Sequence, residues 1–143
     1  MTALAVRAYI ARAMPGEPPP ETVQRLRESE ELYARAFMSN PVAMSITDSG
    51  TGRFTHINTA FAALVGYNRA DIIGRTSEEL GFWPDRGERA RVGGRIERSD
   101  DMELVEGAVR VKGGSSVRVL ASFRLLPLSP SPAVLSVLVP LPA

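Results

Sequence analysis

The spacing of apolar residues changes several times along this chain, and each change marks an element. From Glu21 to Ser39 apolar side chains recur at helical intervals, with Val23, Leu26, Tyr33 and Phe37 on one side, which predicts an amphipathic helix over 21–39. Glu21/Arg25, Arg27/Glu31 and Glu31/Arg35 add ion pairs at four-residue spacing, and Asn40-Pro41 stops the helix. The period then falls to two. In "VAMSITD" Met44 and Ile46 share one face and Ser45 and Thr47 the other, and "DSGTG" turns the chain into a second strand, "RFTHI". This is a predicted hairpin.

The next stretch, "FTHINTAFAALVGYNRADIIGRTSEELG", repeats one event: a capping residue, a short apolar run, a glycine. Asn58 suits the N-cap of a helix holding Phe61, Leu64 and Val65, with Gly66 ending it. Asn68 is placed to cap a second, with Asp71 in its first turn and Gly74 closing it. Thr76 and Glu79 form a capping-box pair for a third that Gly81 closes. Helices this short are unstable alone, so they are expected to wrap over a surface. Phe61, Leu64, Ile72, Ile73, Leu80 and Trp83 would face inward, and the surface is expected to be a sheet.

The remaining sequence supplies that sheet. "PDRGERARVGGRIERSD" predicts a longer helix, weakened at Gly93 and Gly94. "ELVEGAVRVK" and "VRVLASFRLLPL" follow as strands joined by "GGSS"; Val117, Val119, Ala121, Phe123 and Leu125 lie on one face of the second, Arg118, Ser122 and Arg124 on the other. "AVLSVLV" is apolar at nearly every position, as in a central strand covered on both faces. The order predicts an antiparallel α+β domain. Ahead of it, residues 1–20 read as a short helix and a Pro-rich linker: Val6, Tyr9, Ile10, Ala13 and Met14 form one stripe before "PGEPPP". Three segments follow: 1–20, the amphipathic cap helix 21–39, and the domain 40–143.

Composition narrows the function. The 143 residues suit one core; a net charge of +1 offers no field for nucleic acid or acidic lipid. Arg7 and Arg12 near the start raise a transit peptide, but the serine enrichment of one is missing. Prolines at 127, 130, 132, 140 and 142 break the uncharged C-terminal run, so no membrane span is expected. A cytoplasmic protein without nucleic-acid or membrane partners is the expectation. With no cysteine and one histidine, neither a nucleophile with its base nor a metal cluster can be assembled, and the acids are explained by helix starts and solvated loops. An enzyme is not expected.

The hairpin ending in "RFTHIN", followed by "AFAALVGYNRADIIGRTSEELGFWPD", resembles the PAS family of sensory and regulatory domains. Asn58, Ala60, Phe61, Leu64, Gly66, Tyr67, Ile73, Gly74, Leu80 and Trp83 carry the resemblance. It implies the PAS fold: a five-stranded antiparallel sheet, short helices on one face, and the final strand between the first and the fourth. It also gives the clipped helices a purpose, because short segments with glycine corners can cup a ligand where one long helix would move as a rod.

The resemblance implies a bacterial signal-transduction module, for example of a two-component system. Relatives that form a flavin–cysteine adduct have no counterpart here, since cysteine is absent. Haem-binding relatives place a histidine on the longer helix, whereas His56 lies on the second strand, so haem is disfavoured. Alternation from Phe54 would turn His56 inward. Noncovalent flavin or another small organic ligand stays open; Trp83 lies near a tryptophan of some flavin-binding relatives, and Gly93-Gly94 would leave room in the helix that lines the cavity or let it approach the sheet. The candidate pocket is Phe61, Leu64, Ile73, Leu80, Trp83, Gly93, Gly94, Val119 and Phe123.

Two functions compete: a sensor that binds a small ligand and passes a conformational bias onward, and a ligand-free dimerisation or docking module. The second would use Val23, Leu26, Tyr33 and Phe37 with Leu120 and Leu138 on the back of the sheet, in a homodimer. Many relatives continue into a D-I-T motif and a signalling helix. "LVPLPA" has neither, so output is expected from a kinase, a cyclic-nucleotide enzyme or a partner protein outside this chain.

Overall fold

The structure, a computed structural model, describes Leu4, Gly16 and residues 18–84 and 102–142. The helix expected near the start, and all but Pro84 of the longer helix with Gly93 and Gly94, lie outside the described residues. The chain divides into two compact units, Met1–Met38 and Ser39–Ala143.

Helix α1 runs Pro20–Ser39, agreeing with its apolar period. Of its expected ion pairs, Glu31–Arg35 closes at 2.8 Å, and Gln24 adds a hydrogen bond to Glu28 at 3.0 Å. None of its residues is buried, and Leu32 and Tyr33 are 64% and 74% exposed.

The second unit is built on five antiparallel strands: β1 Ala43–Asp48, β2 Phe54–Ile57, β3 Met102–Arg110, β4 Ser116–Leu126 and β5 Ala133–Pro140. Their order is β2-β1-β5-β4-β3. The apolar run of β5 thus lies in the middle, between β1 and β4, as its composition predicts. Directly paired residues share a face, and the pairs Ala43↔Leu138, Ala121↔Leu138, Ser45↔Ser136 and Phe123↔Ser136 define the inner one. Leu138, expected on the back of the sheet, is therefore on the inner face and buried among the core residues. Leu120 does lie outward, opposite Val139.

A second correction concerns His56. A bulge between Ile46 and Thr47 shifts the β1–β2 register, so Phe54 pairs with Thr47 and Ile57 with Ser45. Both are buried, while Thr55 and His56 between them are exposed. The extra residue breaks strict alternation, and His56 faces outward opposite Ile46. Partial burial of the ring, aided by the charge of Arg69, holds its pKa below the usual imidazole value. The unfolded chain then takes up this proton more readily than the folded one. Stability is expected to fall as pH drops below about 6.5 toward the lower folded pKa, and His56→Gln is expected to flatten that part of a urea-unfolding pH series. Parallel slopes for the two proteins would show that the imidazole is not responsible.

Between β2 and β3 the chain forms the clipped segment. Helix α2, Thr59–Val65, ends at Gly66, whose φ of 77° and N–H bond to Ala62 make a left-handed cap. Helix α3 is the single turn Arg69–Ile72; Asn68 precedes it in an extended conformation but makes no side-chain cap. The third expected helix is a turn. Thr76 Oγ1 accepts from Glu79 N at 3.1 Å as a capping box requires, but Thr76 is also bridged to Arg53 beside β2. Leu80 N donates to Thr76 O at 3.2 Å, but Gly81 N then bonds to Glu78 O and Phe82 N to Ser77 O, so the helical ladder does not continue past its first bond.

Candidate functional site

Residues 58–84 cross the inner face of the sheet and are fastened at both edges. On the β2 side, Gly74 N donates to Phe54 O at 2.8 Å and Phe54 N to Arg75 O at 2.9 Å. These bonds also cover an otherwise open strand edge. At the end of β3, Arg110 N donates to Phe82 O at 2.7 Å and, just beyond it, Lys112 N to Val65 O at 2.8 Å. With neighbouring strands about 4.8 Å apart, the span between these edges is about 19 Å. The result is a strap over a sheet, closed in the middle by side chains.

Asn58 fixes where the strap begins. Its side chain is 1% exposed, and its Oδ1 accepts from Phe61 N and from Met44 N, both at 3.0 Å. Its Nδ2 donates to Val42 O at 2.9 Å and to Asn40 O at 3.4 Å. One residue therefore caps α2 and ties it to the segment that enters β1. The sequence shows the cap; the bonds to residues 40–44 connect positions fourteen or more apart and leave no local signal.

Under the strap lies an aromatic cluster. Phe82 stands edge-on to Phe54, Phe61 and Tyr67 at centroid distances of 5.8, 6.1 and 5.8 Å, and Lys112 Nζ lies 5.6 Å from the centre of the Tyr67 ring. Trp83 packs on Phe123 at 6.1 Å. Of the candidate pocket residues, Phe61, Val119 and Phe123 are buried, and Leu64, Ile73, Leu80 and Trp83 are partly buried against the same core. These seven come together in one cluster, while Gly93 and Gly94 fall outside the described residues. Val23, Leu26, Tyr33 and Phe37 all lie on α1.

Sequence reasoning missed two polar residues at the centre. The inner face of β1 carries Ala43, Ser45 and Thr47, and that of β5 carries Val134, Ser136 and Leu138. Met44, Ile46, Leu135 and Val137 turn outward. The usual apolar-in alternation is thus inverted along β1. Among the described residues no group of three or more His, Asp or Glu could hold a metal ion, and no helix is long and apolar enough to cross a membrane.

The arrangement of strap and sheet coincides with a sequence match: residues 31–98 fit the profile of a family described as PAS domain. Residues 31–98 match a PAS domain, and the fold is the PAS fold. Solved structures agree over most of its length. A PAS domain of an HTR-like protein from Haloarcula marismortui superposes with a TM-score of 0.68 at 20% identity, over 86% of this chain and 100% of that one. A domain of a sensory box sensor histidine kinase/response regulator from Geobacter sulfurreducens gives 0.65 at 22% identity, over 79% and 95%. The LOV domain of a blue-light activated histidine kinase from Erythrobacter litoralis gives 0.61 at 17% identity, over 72% and 98%. At these identities the likeness is one of fold. Among curated proteins, no sequence matches this chain.

Proposed function

We propose that this PAS domain is a cytoplasmic sensory or regulatory module that takes up a small, mainly apolar ligand between strap and sheet. It performs no catalysis of its own and passes the resulting conformational bias to an output domain or a partner protein outside this chain. The observation that supports this reading is the fastening of residues 58–84 at both sheet edges, with short helices and glycine corners between. Such a cover can shift over a ligand without losing its anchors. Kinase-linked neighbours of the same fold make a kinase a reasonable output. Native mass spectrometry of the purified protein is expected to reveal a noncovalent small molecule, and its removal to lower the melting temperature. A fully loaded ligand at a hundred times its Kd would stabilise by about 2.7 kcal/mol. Ligand-free protein that no cell extract fraction stabilises would defeat the sensor reading.

A second reading, dimerisation with another copy of this chain, draws on the unburied α1 and on the apolar outer face of the sheet. There Leu120, Ile46, Leu135 and Val137 are only partly covered and Val139 is 41% exposed. Light scattering is expected to give a dimer mass that Leu26→Asp converts to a monomer with unchanged circular dichroism. A wild-type monomer at high concentration would remove this reading.

A further inference from the structure

Of the 17 lysine and arginine residues in this chain, Lys112 is the single lysine. It stands where the strap is fastened to the β3 edge of the sheet. Its N–H donates to Val65 O at 2.8 Å, and its Cβ lies 3.4 Å from the point that a Cβ on Gly66, the corner ending α2, would occupy. From there the side chain rises beside the strap, with Nζ 5.6 Å from the centre of the half-buried Tyr67 ring. Tyr67 in turn meets Phe82 edge-on at 5.8 Å. The ammonium of an exposed lysine thus sits on the aromatic residue that links the β3 anchor to the cluster under the strap.

For those contacts an arginine would serve at least as well. It offers the same backbone N–H and the same Cβ, and its guanidinium favours aromatic faces. The two cations differ in another respect: a guanidinium stays charged, whereas a primary amine can be acylated and so lose its charge. The turn beyond Lys112 is open to a reagent. Gly113 and Gly114 carry no side chains, and nothing lies within 4 Å of where a Cβ on either would stand.

We propose that Lys112 is a site of Nζ acylation by an acyl phosphate, and that acylation loosens the strap at its β3 anchor. The deprotonated amine attacks the acyl carbonyl carbon. The amide C–N bond forms as the C–O bond to phosphate breaks; inorganic phosphate leaves, and the surplus proton on nitrogen passes to water. The neutral amide has no charge to place over Tyr67, so the cation–π attraction is lost.

The test incubates the full chain with acetyl phosphate, locates acetyl groups by peptide mass spectrometry and follows backbone amide exchange by NMR. Acetyl is expected on Lys112. The Lys112 amide, which closes onto Val65, is then expected to exchange about threefold faster, the equivalent of one exposed cation–π contact, and the Tyr67 ring resonances are expected to shift. Lys112→Gln, neutral without any reagent, is expected to reproduce both changes. Lys112→Arg is expected to keep the wild-type exchange rate before and after treatment, which separates residue 112 from the α-amino group of the chain. Three results would each overturn the proposal: Lys112 left unlabelled while the α-amino group is acetylated, wild-type exchange in the acetylated protein or in Lys112→Gln, or faster exchange in Lys112→Arg.

Discussion

Replacing Asn58 with alanine is expected to cost about 4 kcal/mol of folding free energy, a large share of the roughly 5–15 kcal/mol that holds a typical domain together. Loss of the α2 cap alone accounts for about 1 kcal/mol. The rest comes from groups left without partners in a buried place. Met44 N loses its Oδ1 acceptor, and Val42 O loses its Nδ2 donor; each such orphan costs about 1–3 kcal/mol. Ser in this position can still cap α2 but cannot reach residues 40–44. The expected order in urea unfolding is therefore wild type, then Asn58→Ser, then Asn58→Ala, with the serine variant recovering about 1 kcal/mol. If alanine and serine were each within about 1 kcal/mol of wild type, Asn58 would be a cap and nothing more.

Much of this architecture is legible in the sequence because it is written at short range. The helical period of α1, the alternation in the hairpin and the unbroken apolarity of β5 each need only a window of a few residues, and all three elements form where they are predicted. The central place of β5 follows from burial on both faces. What could not be read depends on pairing between distant strands. "AVLSVLV" offers no alternation by which to choose its inner side, and an ordinary preference for solvent at Ser136 would also turn Leu138 outward, since the two share a face. The bulge at Ile46/Thr47 that turns His56 outward is likewise a property of two strands. At Thr76 the local capping chemistry is present, but the hydrogen bonds that follow it leave the helical ladder after one turn.

The candidate site divides along the same line. Aromatic and aliphatic positions such as Phe61, Trp83 and Phe123 announce themselves by type and spacing, and the fold gathers them. Ser45 and Ser136 are unremarkable in the sequence. Only register shows that they meet, at the centre of a face where apolar residues are the rule.

Phe82 provides the sharpest test of how the strap is held. Alanine there is expected to destabilise the domain by about 3–5 kcal/mol, the range for deleting a buried aromatic side chain. The residue is 3% exposed and touches three other rings edge-on. Those contacts come from β2, from α2 and from the residue after Gly66, so its removal loosens the parts of the strap from one another as well as from the sheet. Its carbonyl accepts from Arg110 N, and a cavity beside that bond would let the β3 anchor part more easily. Phe82→Leu keeps most of the volume and is expected to cost less than half as much, because it forfeits the ring pairs but leaves a smaller void. Trp83, the chain's sole tryptophan, reports the change directly: its packing on Phe123 is expected to slacken in Phe82→Ala, shifting its emission to the red before global unfolding begins. A loss below about 1.5 kcal/mol, with the emission unmoved, would mean that the backbone bonds at the two sheet edges hold the cover in place without help from the aromatic cluster.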